Sequence, residues 1–518
     1  MFTREGHGDT KPANTALRIN ARAFGFSAVI GGEPEENKFG YMFGEPSDED
    51  VLPPGDDTVS ALKALSEVMT TGGEEGPNGD LPAAYTYFGQ FLDHDITHVL
   101  GSVKPEELVA PIPRKLRGLT NDRSPLVDLD SVYIDLGPRQ TPRKGEHLEV
   151  GLVTRLNGQF NQKRPEGKSD FNDLPRTERD ANDQKKDRVA RIGDPRNDEN
   201  VIVAQLHVAF LKAHNSLVDD GLNFEQAKEQ MILNYQSIVL DDFLKRICDP
   251  DIYESVLTDG ATWQVDRGDL FMPAEFSFAA YRFGHSLIRT KYKYNINFPR
   301  TDLAELFSFT ALSGQLGTGF KIPGPDDEKE GFDTLPDNWI IEWENFLPPS
   351  DQMANVIDPR LTSFLFDLRK ENGDVEEGDI ARHLAKRNLL RGYLVSLPTG
   401  QTVARRLGMA PLEGDMLLDA LPTAALREAA RSFSSATPLW FYILAEAGNP
   451  ARGELAGKRL GPVGSKIVMD TFFNLIDHAE PSILREGANK VERPFTLQHL
   501  IDLAARQDKL VTNIAAFG

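Results

Sequence analysis

The stretch AAYTYFGQFLDHDITHV, residues 83–99, decides how this chain is read. Wound as a helix, it places Tyr87, Gln90 and His94 on one face at i, i+3 and i+7, with Asp93 beside them. A histidine, an amide and a carboxylate sharing a face suit a lined cavity in which protons move. A satisfied buried histidine is the plainer alternative. Asp95 and His98 point elsewhere, so Asp95 needs an explanation of its own.

A second segment, FSFAAYRFGHSLIRT (276–290), carries Arg282 and His285 at i and i+3 on an otherwise apolar helix. A histidine among Phe, Ala, Gly and Leu can ligate haem iron. Gly284 beside it would admit a flat cofactor closely. A structural histidine is the competing reading. Two histidine helices, each flanked by small and aromatic residues, fit one haem held between two sides.

Outward from these segments, helical periodicity dominates from about residue 200. Segment 198–221 reads as one helix, with Asp194 to cap it, Pro195 at its first position and Gly221 at its stop. Segments 225–247, 426–448 and 464–479 also read as helices. Residues 31–58 and 102–195, rich in Pro, Gly, Asp, Lys and Arg, read as long loops with short helices, as does 322–339. Strand patterns are scarce, and no repeat or Gly/Ser linker is visible. The fold class expected is mainly α, a helical domain with long loops and little β.

The chain has 518 residues, 40% hydrophobic and 26% charged, enough apolar material for a large core. Its net charge of −22 repels phosphate backbones, so nucleic acid is not an expected partner. Cys248 is the one cysteine, which rules out an intramolecular disulfide and a Cys-rich metal site. The first residues lack the apolar core of a signal peptide, and no run reaches about 18 apolar residues. A chain without leader or transmembrane segment, cytoplasmic or exported by a leaderless route, is expected. Its oligomeric state is open.

QFLDHD (90–95), GDPRNDEN (193–200), YRFGH (281–285) and RNLLRGYLVSLPTG (387–400) occur in one order. In that order they resemble the signature elements of the animal-type haem peroxidase, or peroxidase–cyclooxygenase, superfamily. The last of them carries Asn388, Arg391 and a proline ten residues after the asparagine. The resemblance covers about residues 80–450. It implies a helical catalytic domain over 81–518 with one haem b, residues 1–80 being an extension packed on it. The single cysteine and absent leader look like a bacterial member.

Carried over residue by residue, the resemblance makes His94 the distal histidine and Gln90 the amide that orders distal water or a small anion. Arg196 becomes the distal arginine. Such a base takes the peroxide proton and returns it to the departing oxygen. A fixed cation stabilises the charge that develops as the O–O bond breaks. Asp93 and Glu199 match carboxylates that esterify haem methyl groups in mammalian relatives, which implies covalently attached haem; ordinary surface acids are the alternative. Left charged and unpaired in an apolar slot, either would be costly. Asn200 stands where myeloperoxidase forms a sulfonium link through methionine, so two ester links at most are expected, as in lactoperoxidase.

On the proximal side, His285 is implied as the iron ligand, with Asn388 accepting a hydrogen bond from its other ring nitrogen. Arg282 and Arg391 match positions that contact haem propionates or the proximal network. SPLVDLDSVY (124–133) resembles the family's calcium loop: Ser124, the Leu126 carbonyl, Asp128 and Asp130 would join Asp95 around Ca2+. Asp130 replaces the usual serine. His207, His214, His383, His478 and His499 find no matching partners and read as structural.

The function implied is a peroxidase that reduces hydrogen peroxide. Its small-molecule electron donors would be anions (iodide, bromide, thiocyanate) or phenols. A fatty-acid dioxygenase of the same superfamily needs a radical-forming tyrosine three residues before the proximal histidine. Arg282 stands there, and Tyr281 is one place off. An adhesion module keeping only the fold would tolerate loss of His94, Arg196 or His285, and all three are present.

Overall fold

In a computed structural model the described residues are 38–71, 76–100, 107–113, 115–116, 118–134, 140–156, 172–180, 182–183, 186–311, 316–317, 331–366, 380–485 and 490–507. Among the described residues helices dominate and strands are short, the mainly α architecture the periodicity predicts. Residues 322–330 of the 322–339 loop lie outside the described residues. Strands occur only as short pairs among the described residues. Asn78–Pro82 pairs antiparallel with Met353–Asn355, and Phe39–Gly40 runs parallel to Met272–Pro273.

Helix α1 (Asp56–Glu67) packs on the later helix that carries Asn388 and is tied to it by Lys386 on Glu67 at 2.6 Å. Helix α2 (Ala84–Ile96) holds the decisive stretch. Its Phe88 and Phe91 enter an aromatic cluster in which Phe91 stacks on Phe210 at 4.6 Å and meets Tyr235 edge-on. Such packing orients the helix, because several rings bury their area on one face. Gln90 and Asp93 are left half-buried on another face.

The helix expected over 198–221 is two elements. Asp194 caps a 3-10 turn, Pro195–Asp198, by accepting from the Arg196 backbone N–H at 2.8 Å. Helix α3 (Val201–Asp219) starts afresh, capped by Asn200, whose Oδ1 accepts from Val203 N–H at 3.0 Å. Two good cap residues six positions apart give two starts. By length and composition α3 could cross a membrane, but 89% of that window is buried inside the protein, as in a core helix. Helix α4 (Phe224–Ser237) opens on an Asn223–Gln226 capping box, then widens into a π-helical stretch, Ile238–Leu244, where one unbroken helix was expected.

Segment 276–290 also departs from expectation. His285 ends a 3-10 helix, Ala280–His285, rather than standing mid-way along an α-helix. Beyond it lie α5 (Leu384–Leu394), α6 (Leu439–Gly448) and α7 (Pro462–Asp477), then α8 (Leu497–Ala505), which packs along α3. The expected 426–448 helix is interrupted before α6, where Pro438 takes an extended ψ of 129°. Proline cannot donate to the preceding turn, so the helix restarts there.

Candidate active site

His94 is buried, and its Nδ1 lies 2.9 Å from Oδ1 of Asn197 on the 3-10 turn. Burial holds its pKa below the usual imidazole value, and Arg196 pushes the same way against the opposing fields of Asp194, Glu199 and Asp93. The imidazole is therefore neutral near pH 7, as a proton acceptor must be. Tyr87, expected on the same face, instead packs edge-on against Tyr292 at 5.6 Å.

Arg196 is brought against α2 in a particular way. Its Nη2 donates to the backbone carbonyls of His94 (2.9 Å) and Thr97 (2.7 Å), and also to Asp194 Oδ2 at 2.6 Å. The guanidinium thus completes the C-terminal end of α2, where carbonyls lack helical donors. Sequence reasoning missed Asp194 in this role. Its carboxyl also accepts from the fully buried Arg123 at 2.6 Å, and two guanidiniums hold its pKa well below the usual range.

Gln90 is fixed from both ends. Its Oε1 accepts from Asn200 Nδ2 at 3.0 Å, and its Nε2 donates to Glu199 Oε2 at 3.4 Å. Asp93 Oδ1 accepts from the Thr97 hydroxyl at 2.8 Å. Each carboxylate thus has a hydrogen-bond donor on or beside α2.

On the other side, Nδ1 of His285 lies 2.8 Å from the side-chain amide nitrogen of Asn388 on α5. That end of the amide donates, so the expected acceptor role of Asn388 needs the amide turned about. Ligation through Nε2 requires Nδ1–H to donate, which places Oδ1 of Asn388 toward the ring. Trp440 on α6, which sequence reasoning missed, meets the His285 ring edge-on at 6.5 Å and donates through Nε1 to the Arg282 carbonyl at 3.2 Å. Arg391 sits on α5 one turn beyond Asn388, half-buried. The two sides touch where Tyr281 donates its hydroxyl to the Gly89 carbonyl at 3.2 Å.

Haem suits these residues. The Nε of Arg282 is buried without a partner among the described residues, as a group awaiting a carboxylate would be. Burial lowers its pKa, and the field of Asp93 on α2 opposes that fall. Beside His285 the backbone at Gly284 faces open space: a Cβ there would meet nothing within 4 Å.

The expected calcium residues share one region without closing on a point. Asp95 Oδ2, Asp128 Oδ1 and Ser131 Oγ are buried without partners among the described residues. Yet among those residues no three acidic or histidine side chains group as a metal site does. Asp95 Oδ1 accepts from Ser131 N–H at 2.8 Å, and Asp130 leans toward Arg123 at 3.8 Å and Ser124 N at 3.5 Å. Burial and mutual repulsion raise Asp128 well above the ordinary carboxyl value and Asp95 to about 7. Orphaned buried oxygens beside a loop are what an oxygen-seeking cation would satisfy.

The profile of the animal haem peroxidase family matches residues 113–310, a span that takes in Arg196, Glu199 and His285. Over those residues, well under half of the chain, it is similar to the animal haem peroxidase domain. A peroxidase-like protein of Margaritifera margaritifera is 32% identical over 120 residues, which are 20% of this chain and 15% of that protein's length. Among solved structures, peroxidase A from Dictyostelium discoideum shares the fold at TM-score 0.51 and 16% identity, over 94% of this chain and 90% of that one. Fatty acid alpha-dioxygenase of Oryza sativa shares it at TM-score 0.51 and 14% identity, over 97% and 92%. At such identities the likeness is one of fold.

Proposed function

We propose that this chain is a haem peroxidase that reduces hydrogen peroxide and oxidises small anions (iodide, bromide, thiocyanate) or phenols. The observation that carries the reading is a neutral, buried His94 on a helix that meets the 3-10 helix of His285 through Gly89 and Tyr281. His285 and Asn388 would hold haem b from the proximal side, with Arg282 and Arg391 toward its propionates. Bound there, the haem iron supplies the redox chemistry that splits peroxide.

The chain's own residues do the rest. His94 takes a proton from the incoming peroxide and returns it to the departing oxygen, a role worth about 10²–10⁴-fold in rate. Arg196 fixes the end of α2 and places positive charge beside His94, which also keeps the imidazole unprotonated. Gln90, clamped by Asn200 and Glu199, orders water or a small anion next to the base. Asp93 and Glu199 are candidates for ester links to haem. Ser124, Leu126, Asp128 and Asp130 would hold Ca2+ with Asp95, pinning α2 one residue from His94.

The fatty-acid dioxygenase reading is disfavoured by Arg282 at the position the tyrosine needs, and by a Tyr281 hydroxyl already engaged on Gly89. A donor screen on haem-loaded protein separates the two. Peroxide-dependent oxidation of iodide, bromide, thiocyanate or phenols supports the proposal. Oxygen uptake driven by a fatty acid, with no peroxide-dependent turnover, rejects it.

A further inference from the structure

Behind His94 lies a second histidine that neither the periodicity nor the family motifs single out. Asn197 meets His94 Nδ1 with Oδ1 at 2.9 Å and His207 Nδ1 with Nδ2 at 3.0 Å. All three side chains are buried, Asn197 and His207 completely. His207 comes from the second turn of α3 and lies edge-on to Phe91 of α2 at 5.8 Å. Its Nε2 is buried with no partner among the described residues.

Asn197 sits with Oδ1 toward His94 and Nδ2 toward His207, and that placement sets the hydrogen-bond roles. Burial drives the His207 pKa down to about 3, so the ring is neutral and carries one proton. If Nδ1 of His207 accepts from Asn197, that proton sits on Nε2. The Asn197 amide then has its N–H2 end occupied, and only Oδ1 remains for His94. An oxygen there accepts, so His94 carries its proton on Nδ1 and leaves Nε2 as the basic nitrogen. The orphaned Nε2–H of His207 costs free energy that a leucine in the same place would not. A side chain that only filled space would be an odd choice.

The amide is also held rigidly. Asp194 caps the 3-10 turn just before it, and Asp198 just after it pairs with buried Arg176 at 2.6 and 2.9 Å. Such bracketing is what a positioning group needs.

Resting on the reading of His94 as the proton acceptor, we propose that Asn197 and His207 form a positioning pair that locks His94 in the tautomer with Nε2 unprotonated. Groups that also act on His94 are Arg196, Asp194 and Glu199 from the turn and Asp93 from α2. The pair adds to these a direction: it decides which ring nitrogen is the base.

The test uses ferric, haem-loaded full-length protein and two readouts taken across pH: peroxide reaction and the association of cyanide, which must lose its proton to bind. His94→Ala serves as the reference for the His94 reading. His207→Leu leaves the Asn197 amide free to turn, and both rates should fall by about tenfold or more. His207→Gln, which can still accept from Asn197, should recover most of the loss. Asn197→Asp places a carboxylate on His94 Nδ1 and should move the apparent pKa of both profiles upward by about one unit or more. Haem absorption and thermal melting qualify each variant, and Asn197→Asp with His207→Gln carry the test if His207→Leu does not fold. Wild-type profiles in these variants, alongside an altered His94→Ala, overturn the proposal and leave the His94 reading standing. A His94→Ala protein that matches wild type overturns both.

Discussion

Gln90 donates from Nε2 to Oε2 of Glu199 at 3.4 Å, so the carboxylate expected to bond haem is already hydrogen-bonded to the amide expected to order water. Ester formation at Glu199 would remove that acceptor's charge and loosen Gln90 on one side. Asp93 and Glu199 should therefore attach haem progressively as peroxide is supplied. Denaturing chromatography with mass analysis of haem peptides checks this. Bound haem should rise with peroxide and never involve position 200. Haem that stays fully extractable leaves both acids as polar lining.

Asn200 has two duties that a methionine could not perform. It caps α3 through Val203 N–H and holds Gln90 through its amide. Asn200→Ala should lower stability by about 1 kcal/mol from the lost cap. It should also weaken anion binding beside His94, read as a higher KM for iodide with haem content unchanged.

On the proximal side, Asn388→Ala should raise the iron potential, because a histidine that no longer donates from Nδ1 gives less electron density to the metal. Spectroelectrochemistry of the haem-loaded protein decides it, and an unchanged potential removes Asn388 from the proximal network. His285→Ala should lose haem outright.

Asp95→Ala and Asp128→Ala should each release one tightly held calcium and disturb the haem spectrum. Metal analysis of well-folded wild-type protein that finds no calcium rules the site out.

Glu446 gives a pH signature remote from the haem. It is buried near the end of α6, where it accepts from Val463 and Gly464 N–H at the start of α7, and burial raises its pKa to about 7. The unfolded carboxyl ionises near 4.5, so stability is full below that pH and falls as pH rises toward 7. The expected loss is about 3 kcal/mol. Glu446→Gln should flatten thermal stability over that window, and an unchanged slope contradicts the assignment.

Much of the site could be read from the chain because its motifs are local. QFLDHD and YRFGH each carry their functional side chains within one or two turns. What could not be read is what bonds between motifs. Asp194 was visible as a helix cap, but nothing in the sequence shows that Arg123 and Arg196 share its carboxyl. Asn197 and His207 fall within segments that were quoted, yet only the crossing of α2 and α3 brings them to His94. Helix interruptions were hidden likewise: Asn200 is a cap only because the 3-10 turn before it is held by Asp194, and apolar periodicity runs through both.

The most direct measurement is the rate at which haem-loaded protein reacts with hydrogen peroxide, in wild type and in His94→Ala. The account expects His94→Ala to retain haem, with an intact proximal spectrum, and to react about 10²-fold or more slowly. Equal rates in the two proteins would contradict it.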